Sequence, residues 1–269
     1  MTFSIAAVDR ATGAVGAAAA TRFLAVGAGV LWAEPGVGAV CTQATTRIAY
    51  GPECLELLRA GRDPDAVVAH ATAADEGSAD RQLAVVDADG RGATFTGARC
   101  FDWAGGRVLG DATVQGNILI GPDVLEAMAA AWEASAGRPL EERLLAALGA
   151  GDATGGDRRG RQSAALPVRR ADGADPVDLR VDDHPEPLVE LERLLGEFRL
   201  VYGTTPTEQW LPITGETARR LRVALGLGPG VWDEELRAAL VRRVFDDNLD
   251  GRWDGGDRLD PVVVERLLR

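Results

Sequence analysis

Residues 1–202 of this 269-residue chain predict a mixed α+β fold, a four-layer α/β/β/α sandwich, followed by a small all-helical domain at 203–269. Two observations predict the sandwich. The strand-like segments are rich in Ala, Val and Gly without polar alternation, so they read as buried on both faces. Strands and helices come in blocks, with the helices in pairs, which disfavours a doubly wound parallel sheet built on strict alternation.

In order, Phe3 to Val8 and Ala14 to Ala20 flank Asp9-Arg10-Ala11-Thr12-Gly13, a hairpin signal. Gly29 to Ala33 and Gly38 to Gln43 flank Glu34-Pro35-Gly36, a second one. Helices follow at Pro52 to Ala60 and Pro64 to Ala74, each opening on a proline whose missing donor costs nothing there. Strands at Gln82 to Asp87 and Ala93 to Thr96 are joined through Asp89-Gly90, and another strand spans Thr113 to Ile120. A second helix pair covers Pro122 to Ala136 and Pro139 to Leu148, before strands at Ser163 to Val168 and Val177 to Val181. The amphipathic helix Pro187 to Leu200 leads into the turn-rich Gly203-Thr204-Thr205-Pro206-Thr207. Beyond it, helices are predicted at Glu216 to Leu225, Asp233 to Phe245 and Pro261 to Leu268.

Composition bounds the function. With 46% hydrophobic residues the chain can bury a sizeable core, and its net charge of −12 without a basic stretch interleaved with aromatics argues against nucleic acid. No segment has the length and apolarity of a membrane span or a secretory leader, so a cytoplasmic protein with no membrane partner is expected. Cys41, Cys54 and Cys100 are odd in number and widely spaced, unlike a disulfide framework or a zinc knuckle. Every basic residue is arginine, which excludes a Schiff-base lysine or a lysine base. His70 and His184 stand in no nucleophile-elbow context, so a serine triad is disfavoured.

Thr2 offers a different nucleophile. A small second residue allows Met1 to be trimmed, leaving a hydroxyl and a free α-amine on one residue at the head of a buried strand. An α-amine with a pKa near ~8 can take the hydroxyl's proton, directly or through one water. Many chains begin Met-Thr without chemistry, so Thr2 alone leaves both readings open.

Several separated segments carry a resemblance: Thr2-Phe3-Ser4-Ile5, Ala20-Thr21-Arg22-Phe23-Leu24-Ala25-Val26-Gly27, Val114-Gln115-Gly116-Asn117, the loop from Gly155 to Ala165, and Asp178 to Pro185. Together they resemble a bacterial family of unknown function grouped with the N-terminal nucleophile (Ntn) hydrolases, over residues 2 to about 200. The resemblance implies Thr2 as nucleophile and base, Asn117 as an oxyanion donor, and Gly116 as a point where substrate approaches the backbone. It implies that Arg22 lies beside Thr2, depressing the amine pKa and binding an anionic substrate group. Asp157 would orient the amine and Ser163 would relay a proton. Each position also has a plain reading: a strand bulge at 115–117, a surface arginine at 22, a charged loop at 157–161. Three arginines between Arg158 and Arg161 repel unless anions or carboxylates satisfy them, so Arg161 is expected to face a cleft.

The helical tail resembles a peptidoglycan-binding-like domain that trails the same family, or serves as a packing or oligomerisation module. Within it, Asp246, Asn248, Asp250 and Asp257 occupy positions one, three, five and twelve of an EF-hand-like loop, a candidate calcium site. Asp at position twelve and Trp253 at position eight depart from that motif. The expectation is an Ntn-type amidohydrolase that needs no cofactor and acts on a small-molecule or peptide amide or ester, anionic if the arginines face the site, in a homo-oligomer. The alternative is a non-catalytic binding or scaffold protein that uses the tail for glycan, peptide or self-association.

Overall fold

A computed structural model describes residues 2–268. The chain divides into two compact units, the first ending at Leu194 and the second beginning at Leu195. The first unit runs β1 (Thr2–Asp9), β2 (Ala14–Thr21), β3 (Leu31–Glu34), β4 (Gly38–Ala44), α1 (Tyr50–Arg59), α2 (Pro64–Ala73), β5 (Arg81–Asp87) and β6 (Gly92–Thr96). It continues through β7 (Gly105–Val108), β8 (Ala112–Asn117), α3 (Asp123–Ala134), α4 (Leu140–Ala153), β9 (Ser163–Arg169), β10 (Val177–Val181) and the start of α5 (Pro187–Tyr202).

The strands form an antiparallel sheet in the order β10-β9-β2-β1-β8-β7 and a second one in the order β3-β4-β5-β6. Their inner faces share a core of small side chains, among them Ala6, Ala17, Ala19, Cys41, Ala84 and Ala165. Alanine at these positions lets both backbones approach closely, which explains the Ala-rich strands. Helix α4 packs on β1 and β2, with α3 beside it. Helices α1 and α2 bury Tyr50, Leu55, Leu58 and Val67 against Leu83 and Val85 of β5. The molecule is therefore a mixed α+β protein with antiparallel sheets and eight α-helices among the described residues.

Local chemistry explains most boundaries. The β1–β2 turn is held by the Asp9 carboxylate, which accepts from the Ala11 amide and the Thr12 hydroxyl, and Gly13 closes it at φ 71°. Helix α2 starts at Asp63, whose side chain accepts from the Ala66 amide, with Pro64 in the first turn. Three boundaries and one strand differ most from expectation. The strand expected over Gly29 to Ala33 begins at Leu31, because residues 26–28 form a 3-10 turn. The strand expected to reach Ile120 stops at Asn117, where Ile118 turns to φ 51°. Helix α4 continues to Ala153 through Gly149 and Gly151, since Met128 lies 2.8 Å from where a Cβ on Gly151 would sit, so the glycine permits close packing on α3. The short strand β7 begins Gly105-Gly106, which carries no strand signal.

The second unit contains the end of α5, β11 (Leu211–Pro212), α6 (Gly215–Ala224), α7 (Glu234–Asp246), β12 (Arg258–Leu259) and α8 (Pro261–Leu267). The antiparallel β11–β12 pair departs from the all-helical expectation. Its core includes Ile213, Leu221, Leu236, Leu240, Trp253 and Val263. Arg252 is buried there, donating to the Leu200 and Arg199 carbonyls at the end of α5 and to the Asp260 carboxylate at 2.7 Å. Among the described residues, no helix is long and apolar enough to cross a membrane.

Candidate functional site

Alternation along β1 puts Thr2, Ser4, Ala6 and Val8 on the inner face and Phe3, Ile5 and Ala7 on the face that α4 covers. The β1–β8 register sets Thr2 opposite Asn117 and Ser4 opposite Gln115, so polar side chains gather at one end of the inter-sheet space. Across that space stand Gln43 of β4 and Gln82 of β5, both fully buried. The Ser4 hydroxyl donates to Gln43 Oε1 at 2.7 Å, and Gln43 Nε2 donates to the Thr2 carbonyl at 2.9 Å and to Gln82 Oε1 at 2.7 Å. Asn117 Nδ2 donates to the same Gln82 oxygen at 3.0 Å, and Gln82 Nε2 reaches the Gly116 carbonyl at 2.8 Å. This network ties the two sheets together and fixes the backbone of Thr2. In a dry interior such bonds hold their members in one geometry.

Thr2 and Thr21 lie side by side at the ends of β1 and β2, their hydroxyl oxygens 3.2 Å apart and hydrogen-bonded. Both line a cavity of about 390 Å³. Its other walls come from residues 23–30 and 44–48, chiefly apolar side chains including Phe23, Leu24, Val30 and Ile48. Two wall residues have left-handed backbones without being glycine, Ala25 at φ 54° and Ala44 at φ 70°. Such conformations cost about 1–3 kcal/mol and persist where surrounding structure imposes them, often at functional sites. Around Ala25 the imposing bonds are visible. The Ala25 amide donates to the Asp182 carbonyl at 2.9 Å, the Val26 amide to Ser163 Oγ at 3.1 Å, and the Ser163 hydroxyl to the Phe23 carbonyl at 2.6 Å.

The other expected site residues are placed differently. Asn117 is buried beside Thr2 in the ladder, but its amide is directed to Gln82 and it does not line the cavity. Gly116 does not open a path for substrate: a Cβ there would stand 2.4 Å from Leu119 Cδ1, so the missing side chain makes room for Leu119. Arg22 follows Thr21 and its guanidinium donates to the Arg161 carbonyl at 2.8 Å; it lies outside the cavity lining. Asp157 is buried and accepts from the backbone amides of Arg22 at 2.7 Å and Arg159 at 2.8 Å, joining the end of β2 to the 157–161 loop. Ser163 positions the 23–26 segment as described.

Arg161 is satisfied by carboxylates, pairing with Asp152 at 2.8 Å and Glu186 at 2.9 Å, and these bonds, that with Asp152 foremost, raise its pKa above the ordinary value. It does line a separate polar depression of about 350 Å³ with Arg158 and Asp157. Met1, whose removal the nucleophile requires, lies outside the described residues. Sequence reasoning missed Thr21, Gln43 and Gln82 as members of the site. Their signal was a polar residue at an inward-facing position of an apolar strand.

The EF-hand-like spacing has no assembled ligand set. Asp246 ends α7, Asn248 turns at φ 55°, and Asp250 opens a 3-10 turn. The Asp257 carbonyl accepts from Ile213, while Arg252, at the centre of the loop, directs its charge inward to Asp260. Among the described residues, no three His, Cys, Asp or Glu side chains converge to hold a metal ion.

The inter-sheet network and the Thr2 cavity lie wholly within residues 2–117, inside a segment that known proteins share. The structure matches the crystal structure of protein SPO2555 from Silicibacter pomeroyi, itself described by the DUF1028 family, with 40% identity and a TM-score of 0.69. That match covers 74% of this chain and 89% of the other. No curated protein matches the chain. Residues 2–191 match the model of the family of unknown function DUF1028, so the match starts at Thr2, ends just short of the second unit, and the chain belongs to the DUF1028 family.

Proposed function

We propose that the first unit is an N-terminal-nucleophile amidohydrolase, with the Thr2 hydroxyl as nucleophile once Met1 is removed. One observation carries the reading: Thr2, the first residue of β1, lines a cavity of about 390 Å³ with its hydroxyl against that of Thr21. Facing antiparallel sheets between helix pairs are also the layer order expected of an Ntn hydrolase. In the proposed reaction the α-amine takes the Thr2 proton while Oγ1 attacks the carbonyl carbon of an amide or ester. The tetrahedral intermediate collapses, the C–N or C–O bond breaks, and the leaving group takes the proton from the ammonium. Water then hydrolyses the ester on Thr2, restoring the hydroxyl and releasing a carboxylic acid. Thr21 is the neighbour that orients Oγ1. Gln43 and Gln82 are positioning residues, and Asn117 acts through them.

The engagement of Asn117, Asp157 and Ser163 with structural partners also favours a second reading, a ligand-binding protein without turnover. For the second unit we propose an accessory role, with a glycan or peptide as the partner its sequence resemblance suggests. Intact mass of the purified chain tests the first requirement, since retention of Met1 removes the free amine. Acylation by a β-lactone probe then decides between the readings: the proposal expects one adduct on Thr2, lost in Thr2→Ala, whereas a trimmed but unlabelled chain supports binding alone.

A further inference from the structure

We infer that the group held in the Thr2 cavity is an uncharged, apolar acyl chain of a few carbons, so that the substrate is an amide or ester of a short aliphatic acid. This rests on the proposed function for which bond is attacked. Among the described residues the lining contains no Asp, Glu, Arg or His; its only polar side chains are the threonines Thr2, Thr21 and Thr46. At its mouth, Phe23 is 67% exposed, Leu24 56% and Ile48 56%, an unusual concentration of large apolar groups facing water. Isolated exposed apolar residues are ordinary, but three bordering one concavity mark a binding surface.

The arginines that would select an anion are engaged elsewhere. Arg22 is directed to the Arg161 carbonyl, and Arg161 to Asp152 and Glu186. Beyond the Thr2 amine, an anionic group in this cavity would lose its hydration with no arginine or histidine side chain to meet it, an unfavourable exchange. The volume, about 390 Å³, lies at the small end of ligand pockets. The walls are also preset. Ser163 fixes residues 23 and 26, and Gly29 leaves the space over which Ile48 lies, its Cδ1 only 3.0 Å from where a Cβ would be. Because the acyl half stays bonded to Thr2 while the amine or alcohol departs, the cavity beside Thr2 holds the acyl half.

The test uses the full chain and p-nitrophenyl esters of acetate, butyrate and hexanoate, with the half-ester of succinate as an anion of similar length. Release of p-nitrophenolate that is lost in Thr2→Ala, together with the adduct mass on Thr2, gives the acylation rate. Each fully buried methylene is worth about a fourfold rise. Hexanoyl transfer should exceed acetyl by at least tenfold, with succinyl no faster than acetyl. Ile48→Asp, at an exposed position where folding tolerates it, should cut the hexanoyl-to-acetyl ratio several-fold. Thr2 labelling with equal rates along the series, or with succinyl fastest, overturns this inference and leaves the nucleophile standing. Conversely, amide-NMR shifts at Ala28 and Ala44 with hexanamide but not succinamate, without acylation of Thr2, keep the ligand class and sink the nucleophile. Neither labelling nor binding overturns both.

Discussion

Replacing Gln82 by methionine isolates the polar bond between the two sheets. The side chains have the same length, so little cavity is left and the change removes hydrogen bonding alone. Gln82 Oε1 accepts from Gln43 Nε2 at 2.7 Å and Asn117 Nδ2 at 3.0 Å, and its Nε2 has the Gly116, Thr96 and Gly105 oxygens within 2.8, 2.9 and 3.0 Å. Two hydrogens cannot serve three acceptors at once, so about four bonds are made at any moment. In Gln82→Met, two buried donors lose an acceptor, although Gln43 keeps the Thr2 carbonyl for its other hydrogen. Each stranded donor costs about 1–3 kcal/mol, so a destabilisation of about 4 kcal/mol is expected. Urea titration followed by far-UV circular dichroism measures it as a fall in midpoint at constant slope. A loss below about 1 kcal/mol would refute the reasoning, since water or a shifted side chain must then satisfy the donors. Combining it with Gln43→Met should add much less than the single effects sum to, because the two share a bond.

Three further outcomes follow from the same geometry. Thr21→Val keeps the shape of the strand end and removes the neighbour of Thr2 Oγ1, so acylation of Thr2 should slow by about tenfold, the worth of one hydrogen bond; an unchanged rate would remove Thr21 from the site. Ser163→Ala should abolish the hydrogen-exchange protection of the Val26 amide and leave that of the β1 amides intact, because only the 23–26 segment hangs on that hydroxyl. Burial pushes the Cys41 and Cys54 thiols up to about 12 from 9.0. A pKa raised in the folded state means the unfolded chain loses protons first, so this contribution is intact below pH 9 and is lost progressively between about pH 9 and 12. Stability measured by urea titration should therefore decline over that range, less steeply in Cys41→Ala.

The layers were legible in the sequence because burial on both faces writes itself directly into composition: Ala14 to Ala20 contains no polar or charged side chain on either face. Proline at 64 and glycine at 61 marked α1 and α2 because backbone constraints are local. What escaped was anything set by pairing between strands distant in the chain. Gly105-Gly106 becomes a strand only because the Gly116 and Gln115 backbones lie opposite, and no local preference encodes that.

The site shows the same division. Thr2 is recognisable from its place in the chain, whereas Gln43, Gly116 and Asn117 meet Gln82 through a register that joins residues more than thirty positions apart. The partners of the arginine loop were illegible for a related reason. Like charges at Arg158, Arg159 and Arg161 demand counter-charges, but their identity is a tertiary fact, and Asp152, Asp157 and Glu186 supply those of Arg159 and Arg161 within the chain. Arg158 lines the separate polar depression beside Arg161, whereas the wall around Thr2 offers shape and apolar surface. An inward polar residue on an apolar strand, such as Gln43 or Gln82, is thus the better pointer to this site than the conspicuous arginine loop, because burying an amide is tolerated only where partners wait for it.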